Sequence, residues 1–146
     1  MQRVKKSVLV PYDAAEMFDL VDQVELYPQF LPWCGGAHVI DAGDNGKTAR
    51  IDIDYHGVKA HFTTYNVNDP PKSIVIRLKD GPFRALTGEW KFIALRPQAS
   101  KVEFELAYEF ATPVLEAVVG PVFNRIANTF IEAFVSRAQA VHGARP

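Results

Sequence analysis

The chain has 146 residues, of which 48% are hydrophobic, 12% aromatic and 23% charged, a composition typical of one ordinary globular domain. Its net charge is −1 and its 16 Lys and Arg residues are scattered, which argues against broad nucleic-acid binding but leaves docking on a structured RNA or a ribosomal protein open. No apolar run approaches the ~20 residues of a transmembrane helix, and the lone Cys34 excludes an internal disulfide and fits a reducing cytosol. We therefore expect a single cytoplasmic domain over residues 1–146, without a transmembrane segment or a DNA partner.

The beginning of the chain predicts one strand and then two short helical pieces. Residues 2–10 place valines in one phase and polar side chains in the other, as in a half-buried strand. Asp13 can cap a short helix with an apolar stripe. The prolines at positions 28 and 32 prevent a regular element, so this stretch is predicted to be a bent segment or a single helical turn.

The middle of the chain changes to a period of two, which predicts six successive strands. They are expected at 37–41, 51–55, 58–67, 74–78, 86–92 and 102–110. Tyr65 falls out of phase with Phe62, which indicates a bulge near Thr63-Thr64. The short connections between these strands predict an antiparallel sheet.

Residues 113–142 predict one long helix with an unusually broad apolar face. Thr112 can serve as N-cap, Pro113 suits the first helical position, and a glycine follows the last turn. Gly120-Pro121 is expected to kink or split this helix. Apolar residues cover more than half of its circumference, so it needs a broad apolar partner. We therefore predict an α+β fold in which a curved antiparallel sheet of about seven strands wraps round the helix, with a cavity between the two layers.

Several stretches resemble a known family and together span nearly the whole chain. They are Val10-Pro11-Tyr12, Tyr27-Pro28-Gln29-Phe30-Leu31-Pro32-Trp33-Cys34, Asp80-Gly81-Pro82-Phe83 with Trp90-Lys91-Phe92, and Ala133-Phe134-Val135-Ser136-Arg137-Ala138. The chain resembles the START-like, helix-grip superfamily, and within it the coenzyme Q-binding and ribosome association toxin (RatA) group, often labelled polyketide cyclase/dehydrase or oligoketide cyclase. The resemblance implies a helix-grip fold. It also implies a hydrophobic tunnel for a ubiquinone-like lipid in the respiratory-chain members, and action on the large ribosomal subunit that blocks subunit joining in the toxin-like members.

Eight residues are candidate ligand contacts: Trp33, Phe62, Tyr65, Trp90, Tyr108, Phe123, Phe130 and Arg137. The aromatic ones are core residues by the simplest interpretation, and as a group they would give a lipid or quinone an aromatic-walled site. Arg137 falls within the apolar helix face. Its head either binds the last helix carbonyls or serves as a gate or polar handle for a ligand head group.

The sequence shows no catalytic or metal-binding constellation. The four histidines lack metal-ligand spacing, Cys34 has no nearby base in the sequence, and strand alternation places the paired carboxylates on the solvated face. We therefore predict non-enzymatic binding of ubiquinone or another isoprenoid lipid in support of respiration, with no required cofactor. Such a ligand would bring transient membrane contact. The alternatives are binding to the large ribosomal subunit and, third, a polyketide cyclase or aromatase.

Overall fold

The computed structural model describes residues 1–143, and positions 144–146 of the predicted domain lie outside the described part. Its strands are β1 (Gln2–Val10), β2 (Cys34–Ala42), β3 (Gly46–Tyr55), β4 (Val58–Asp69), β5 (Ser73–Asp80), β6 (Phe83–Arg96) and β7 (Ala99–Phe110). Its helices are α1 (Ala14–Asp22), a 3-10 helix (Val24–Gln29) and α2 (Pro113–His142). The predicted order of elements is confirmed, although several strands are longer than their alternating cores because backbone pairing continues beyond them.

The strands form one antiparallel sheet in the order β1-β7-β6-β5-β4-β3-β2. From β2 to β7 each strand pairs with the next along the chain, and β1 closes the arrangement beside β7. This confirms the predicted sheet. Its inner face is covered by α1, the 3-10 helix and α2, so the apolar phase of each strand is buried between two layers.

The long helix α2 begins and ends where the sequence predicts. The Thr112 hydroxyl accepts a hydrogen bond from the Leu115 backbone N–H at 3.1 Å, and Pro113 occupies the first turn. The helix continues through Pro121, so the predicted split is wrong. Pro121 and Ala117, whose carbonyl would have accepted its missing N–H, are both exposed, and water can satisfy that carbonyl.

The irregularity between β4 and β5 lies where the sequence suggests, but its extra residue is on the other strand. Thr63 pairs with Asp80 and Thr64 pairs with Leu78, which leaves Lys79 of β5 as the additional residue. The alternation of β4 is therefore unbroken. Tyr65 lies on the outer face with 42% of its surface exposed, so its predicted inward orientation is wrong.

Hydrogen bonds tie the end of α2 to the first connection of the chain. The Tyr12 hydroxyl donates to the Gly143 carbonyl at 2.7 Å, and the buried Ser100 hydroxyl donates to the Tyr12 carbonyl at 2.9 Å. His142 Nδ1 lies 3.3 Å from a carboxylate oxygen of Glu16 of α1. These contacts hold α2 across the sheet. Within residues 1–143, no helix combines the length and apolarity needed to cross a membrane.

Candidate functional site

A cavity of about 60 Å³ lies between α2 and the inner face of the sheet. Most of its wall is apolar or aromatic. From α2 it is lined by Phe123, Ile126, Ala127 and Phe130; from the sheet by Ile51, Phe62, Thr64, Asn66, Ile74, Ile76, Leu86, Trp90, Phe104 and Leu106; and from the α1 side by Val21, Asp22, Val24, Tyr27 and Trp33. The sheet, α2 and the segment from α1 to residue 33 therefore all contribute to this cavity.

Phe130 of α2 is the aromatic side chain around which the cavity wall is organised. Its ring centroid lies 6.0 Å from that of Trp33, 5.7 Å from Trp90 and 5.6 Å from Phe104. Two turns earlier on α2, Phe123 lies 5.9 Å from Phe62 in an edge-on arrangement. Aromatic pairs prefer such tilted and edge-on contacts. Rings that meet at these angles fill the space between them less completely than parallel rings do.

The cavity is small compared with a ring-bearing ligand. Its volume of about 60 Å³ is less than half of the roughly 150 Å³ that holds a benzene molecule in an engineered core. A ligand with a ring must therefore displace side chains or shift α2. Phe130 is half-buried, which makes it the member of the α2 wall best placed to move.

One wall of the cavity is polar, and we call it the β4 wall: Thr64 and Asn66 of β4, together with Asp22 at the end of α1. The Thr64 hydroxyl donates to Asn66 Oδ1 at 2.9 Å. Lys47 lies opposite Asn66 in the β3–β4 register, and its Nζ is 2.9 Å from Asp22 Oδ1. The Lys47 side chain is only 16% exposed, so this ion pair is largely withdrawn from water.

Thr64, Asn66 and Asp22 are not among the ligand contacts predicted from the sequence. A signal of this polar wall is present in the alternation of β4, because Thr64, Asn66 and Asn68 share the inward phase of Phe62 and are all polar. The assumed break in phase at Tyr65 hid it. The ion pair between Lys47 and Asp22 joins residues distant in sequence, and no local pattern indicates it.

The structure brings together five of the eight candidate residues: Trp33, Phe62, Trp90, Phe123 and Phe130. Tyr108 is buried behind Phe123, with ring centroids 4.8 Å apart, and does not line the cavity. Its hydroxyl donates to Asn124 Oδ1, and burial raises the pKa of Tyr108. Tyr65 lies on the outer face, as described above.

Arg137 also lies outside the cavity, which corrects both interpretations of it. Its Nη2 donates to Gln29 Oε1 at 2.9 Å, and its Cζ lies 5.0 Å above the ring of Phe30. It therefore binds neither the last carbonyls of α2 nor the space under the helix. Near its end α2 passes the 3-10 helix, and Arg137 fastens the two together through a hydrogen bond and a cation–π contact.

Burial disfavours the ionised forms of Cys34 and Tyr27 near the cavity. The Cys34 thiol donates to the Gly36 carbonyl at 3.3 Å, and burial raises the pKa of Cys34, which disfavours the reactive thiolate. The pKa of Tyr27 is also raised, first by burial and then by Asp22. Within residues 1–143, no three His, Cys, Asp or Glu side chains are grouped closely enough to hold a metal ion.

Tertiary structure gives two histidines an acidic neighbour that the sequence did not indicate. His38 lies 3.8 Å from Asp52, and His142 lies 3.3 Å from Glu16. None of these four residues lines the cavity. The first pair is on the outer face of the sheet, and the second pair joins the ends of α1 and α2.

A long helix gripped by a curved antiparallel sheet, with an apolar cavity between them, defines the helix-grip class of START-like domains. Residues 10–135 match the family described as "Polyketide cyclase / dehydrase and lipid transport". The chain belongs to this family.

Relatives and solved structures agree with this assignment. The chain is 39% identical over 145 residues to "Ribosome association toxin RatA" of Escherichia coli (strain K12), covering 99% of this chain and 92% of the relative. It is 24% identical over 142 residues to "Coenzyme Q-binding protein COQ10, mitochondrial" of Drosophila melanogaster, covering 94% of this chain and 59% of that protein. The crystal structure of the Zhui aromatase/cyclase from Streptomyces sp. R1128 superposes with a TM-score of 0.78 at 18% identity, covering 99% of each chain, and confirms the helix-grip fold.

Proposed function

We propose that this protein is a non-enzymatic, cytoplasmic binding protein that holds a hydrophobic small molecule of the isoprenoid quinone type between α2 and the sheet. The observation that carries the proposal is the aromatic-walled cavity beneath α2, to which Trp33, Trp90 and Phe130 contribute. Apolar walls with a few polar groups are typical of small-molecule sites. The relative named as a coenzyme Q-binding protein supports this ligand class.

Binding of this ligand requires the cavity to open. Its volume of about 60 Å³ must grow severalfold to accept a substituted ring, since small-molecule sites usually occupy about 300 Å³ or more. Part of the binding free energy is therefore used to move side chains. The apparent affinity is lower than the intrinsic affinity of the open form, because only a fraction of the molecules are open. We expect variants that enlarge the cavity to bind more tightly than the natural protein.

Filling the cavity tests the proposal directly. Ala127 is 2% exposed and lines the cavity, so Ala127→Leu places extra carbon atoms in the available space. The matched control is Ala117→Leu, on the exposed side of the same helix. A decyl-substituted benzoquinone should raise the melting temperature of the natural protein and the control but not that of Ala127→Leu. No rise with the natural protein, together with repeated recovery of lipid-free protein from its own host, would refute quinone binding.

A second candidate function is association with the large ribosomal subunit. It is favoured by a specific observation, the 39% identity with a protein named ribosome association toxin over 99% of the chain. Sucrose-gradient sedimentation of a cell extract tests it. Co-migration with the large subunit and loss of assembled ribosomes on overexpression would support it, whereas recovery only at the top of the gradient would rule it out.

Cyclase chemistry is not supported by the arrangement of side chains. A histidine paired with a carboxylate could perform acid–base catalysis on a bound polyketide if the pair faced the ligand. The His–carboxylate pairs found within residues 1–143, His38–Asp52 and His142–Glu16, lie away from the cavity lining. The likeness to an aromatase/cyclase at 18% identity concerns the fold.

A further inference from the structure

The three inward-facing positions of β4 that come after Phe62 in the chain are all polar. Thr64, Asn66 and Asn68 have apolar cross-strand neighbours on β5, namely Leu78, Ile76 and Ile74. Buried polar groups cost free energy unless they are hydrogen-bonded. The side-chain hydrogen bonding of these residues within the described part of the protein is incomplete.

Asn66 lines the cavity with a donor group that the protein does not use. Its Oδ1 accepts the Thr64 hydroxyl at 2.9 Å, which fixes the orientation of the amide. Its Nδ2 makes no hydrogen bond within residues 1–143. The Asn66 amide is therefore held by Thr64 with its N–H groups available to a molecule in the cavity.

Asn68, the next inward residue, presents an unused acceptor. Its Nδ2 donates to Asp22 Oδ1 at 2.7 Å. Its Oδ1 is buried and has no hydrogen-bond partner within the described residues. The β4 wall thus offers a donor at Asn66, while an unpaired acceptor lies directly beyond it.

The ion pair between Lys47 and Asp22 leaves the β4 wall without net charge. Lys47 Nζ is 2.9 Å from both Asp22 Oδ1 and the Asp22 carbonyl oxygen. The positive charge of Lys47 and the negative charge of Asp22 cancel locally. Within the described residues, the one ammonium group at this wall, that of Lys47, is already paired with Asp22. A phosphate or carboxylate head group would therefore lose its hydration without gaining an ion pair.

We propose that the β4 wall recognises a neutral ring bearing carbonyl oxygens, with Asn66 Nδ2 donating to one of them while the tail lies against the apolar α2 wall. This assignment rests on the proposed function and identifies the part of the cavity that binds the head group. It selects a benzoquinone-type head over an anionic lipid that has the same tail.

Isothermal titration calorimetry with matched probes tests the assignment. The probes are a decyl-substituted benzoquinone, decylbenzene as the ring and tail without oxygens, and decanoate as the anionic head. The natural protein should bind the quinone about tenfold more tightly than decylbenzene, and decanoate no more tightly than decylbenzene. Asn66→Leu should abolish the preference for the quinone over decylbenzene.

Further variants separate recognition from loss of structure. Thr64→Val removes the hydroxyl that orients Asn66 and should reduce the preference about threefold. Asn128→Leu changes an exposed asparagine of α2 and should match the natural protein. A tenfold preference retained by Asn66→Leu, or tight binding of decanoate, would overturn the head-group assignment alone. Failure of the natural protein to bind both the quinone and decylbenzene would overturn the proposed function as well.

Discussion

Two phenylalanines one turn apart on α2 distinguish the core of the protein from its cavity. Phe134 is 0% exposed and its ring packs 5.4 Å from Tyr27 and 5.3 Å from Trp90. Phe130 is half-buried and lines the cavity. Truncation of Phe134 creates a new void in a closed core, whereas truncation of Phe130 extends a space that already exists.

The expected losses of stability differ by about a factor of two. Phe134→Ala should lower the free energy of unfolding by about 4 kcal/mol, the middle of the range for a buried phenylalanine. For 146 residues, an unfolding entropy of about 2.1 cal/mol/K per residue converts this loss to a melting temperature roughly 13 °C lower. Phe130→Ala should cost about 2 kcal/mol and roughly 6 °C, because fewer well-packed contacts are lost.

The assay is thermal unfolding followed by circular dichroism, with and without the decyl-substituted benzoquinone. Phe130→Ala should show a larger ligand-induced rise in melting temperature than the natural protein, because less rearrangement precedes binding. Phe134→Ala should show no such gain. Val118→Ala, a change at a residue 56% exposed on α2, should stay within about 0.5 kcal/mol of the natural protein. Equal losses of stability for the two phenylalanine variants, with no gain in ligand response, would refute the cavity.

Other predictions concern the polar contacts around the site. The Tyr27 hydroxyl donates to the Val21 carbonyl at 2.5 Å, and burial raises the pKa of Tyr27 above its value in the unfolded chain. The unfolded state therefore ionises first, and stability is complete below pH ~10 and falls above it by up to about 1.4 kcal/mol per pH unit. Tyr27→Phe should flatten this alkaline slope in urea titrations, and an unchanged slope would contradict the assignment. Lys47→Met should lower the free energy of unfolding by about 2 kcal/mol, because Asp22 loses its counter-charge. Adding Asp22→Asn should recover part of that loss in the same titration. No recovery would show that the two residues are not coupled. Arg137→Met should cost about 1 kcal/mol without changing the quinone dissociation constant, whereas weaker binding would restore the gate hypothesis.

The secondary structure and its order could be predicted because local patterns carry them. The period-two stretches place the strands, and Thr112, Pro113 and the glycine at 143 mark both ends of α2. Strand register and the direction of individual side chains depend on partners distant in sequence, so local patterns do not determine them. The pairing of Thr63 and Thr64 with β5 put the extra residue at Lys79, and one misjudged phase turned Tyr65 inward and hid the polar residues beside it.

The candidate site shows the same division. Sequence alone determined that a broad apolar helix face and an aromatic sheet face must meet, because each would otherwise expose a large apolar surface to water. It also supplied the large side chains at positions 33, 62, 90, 123 and 130 that surround the cavity. Only the tertiary structure decided that the Lys47–Asp22 ion pair forms at that cavity and that Arg137 contacts Gln29 outside it, because these contacts join residues far apart in the chain. Their positions follow from how helices cross the sheet, which no local periodicity encodes.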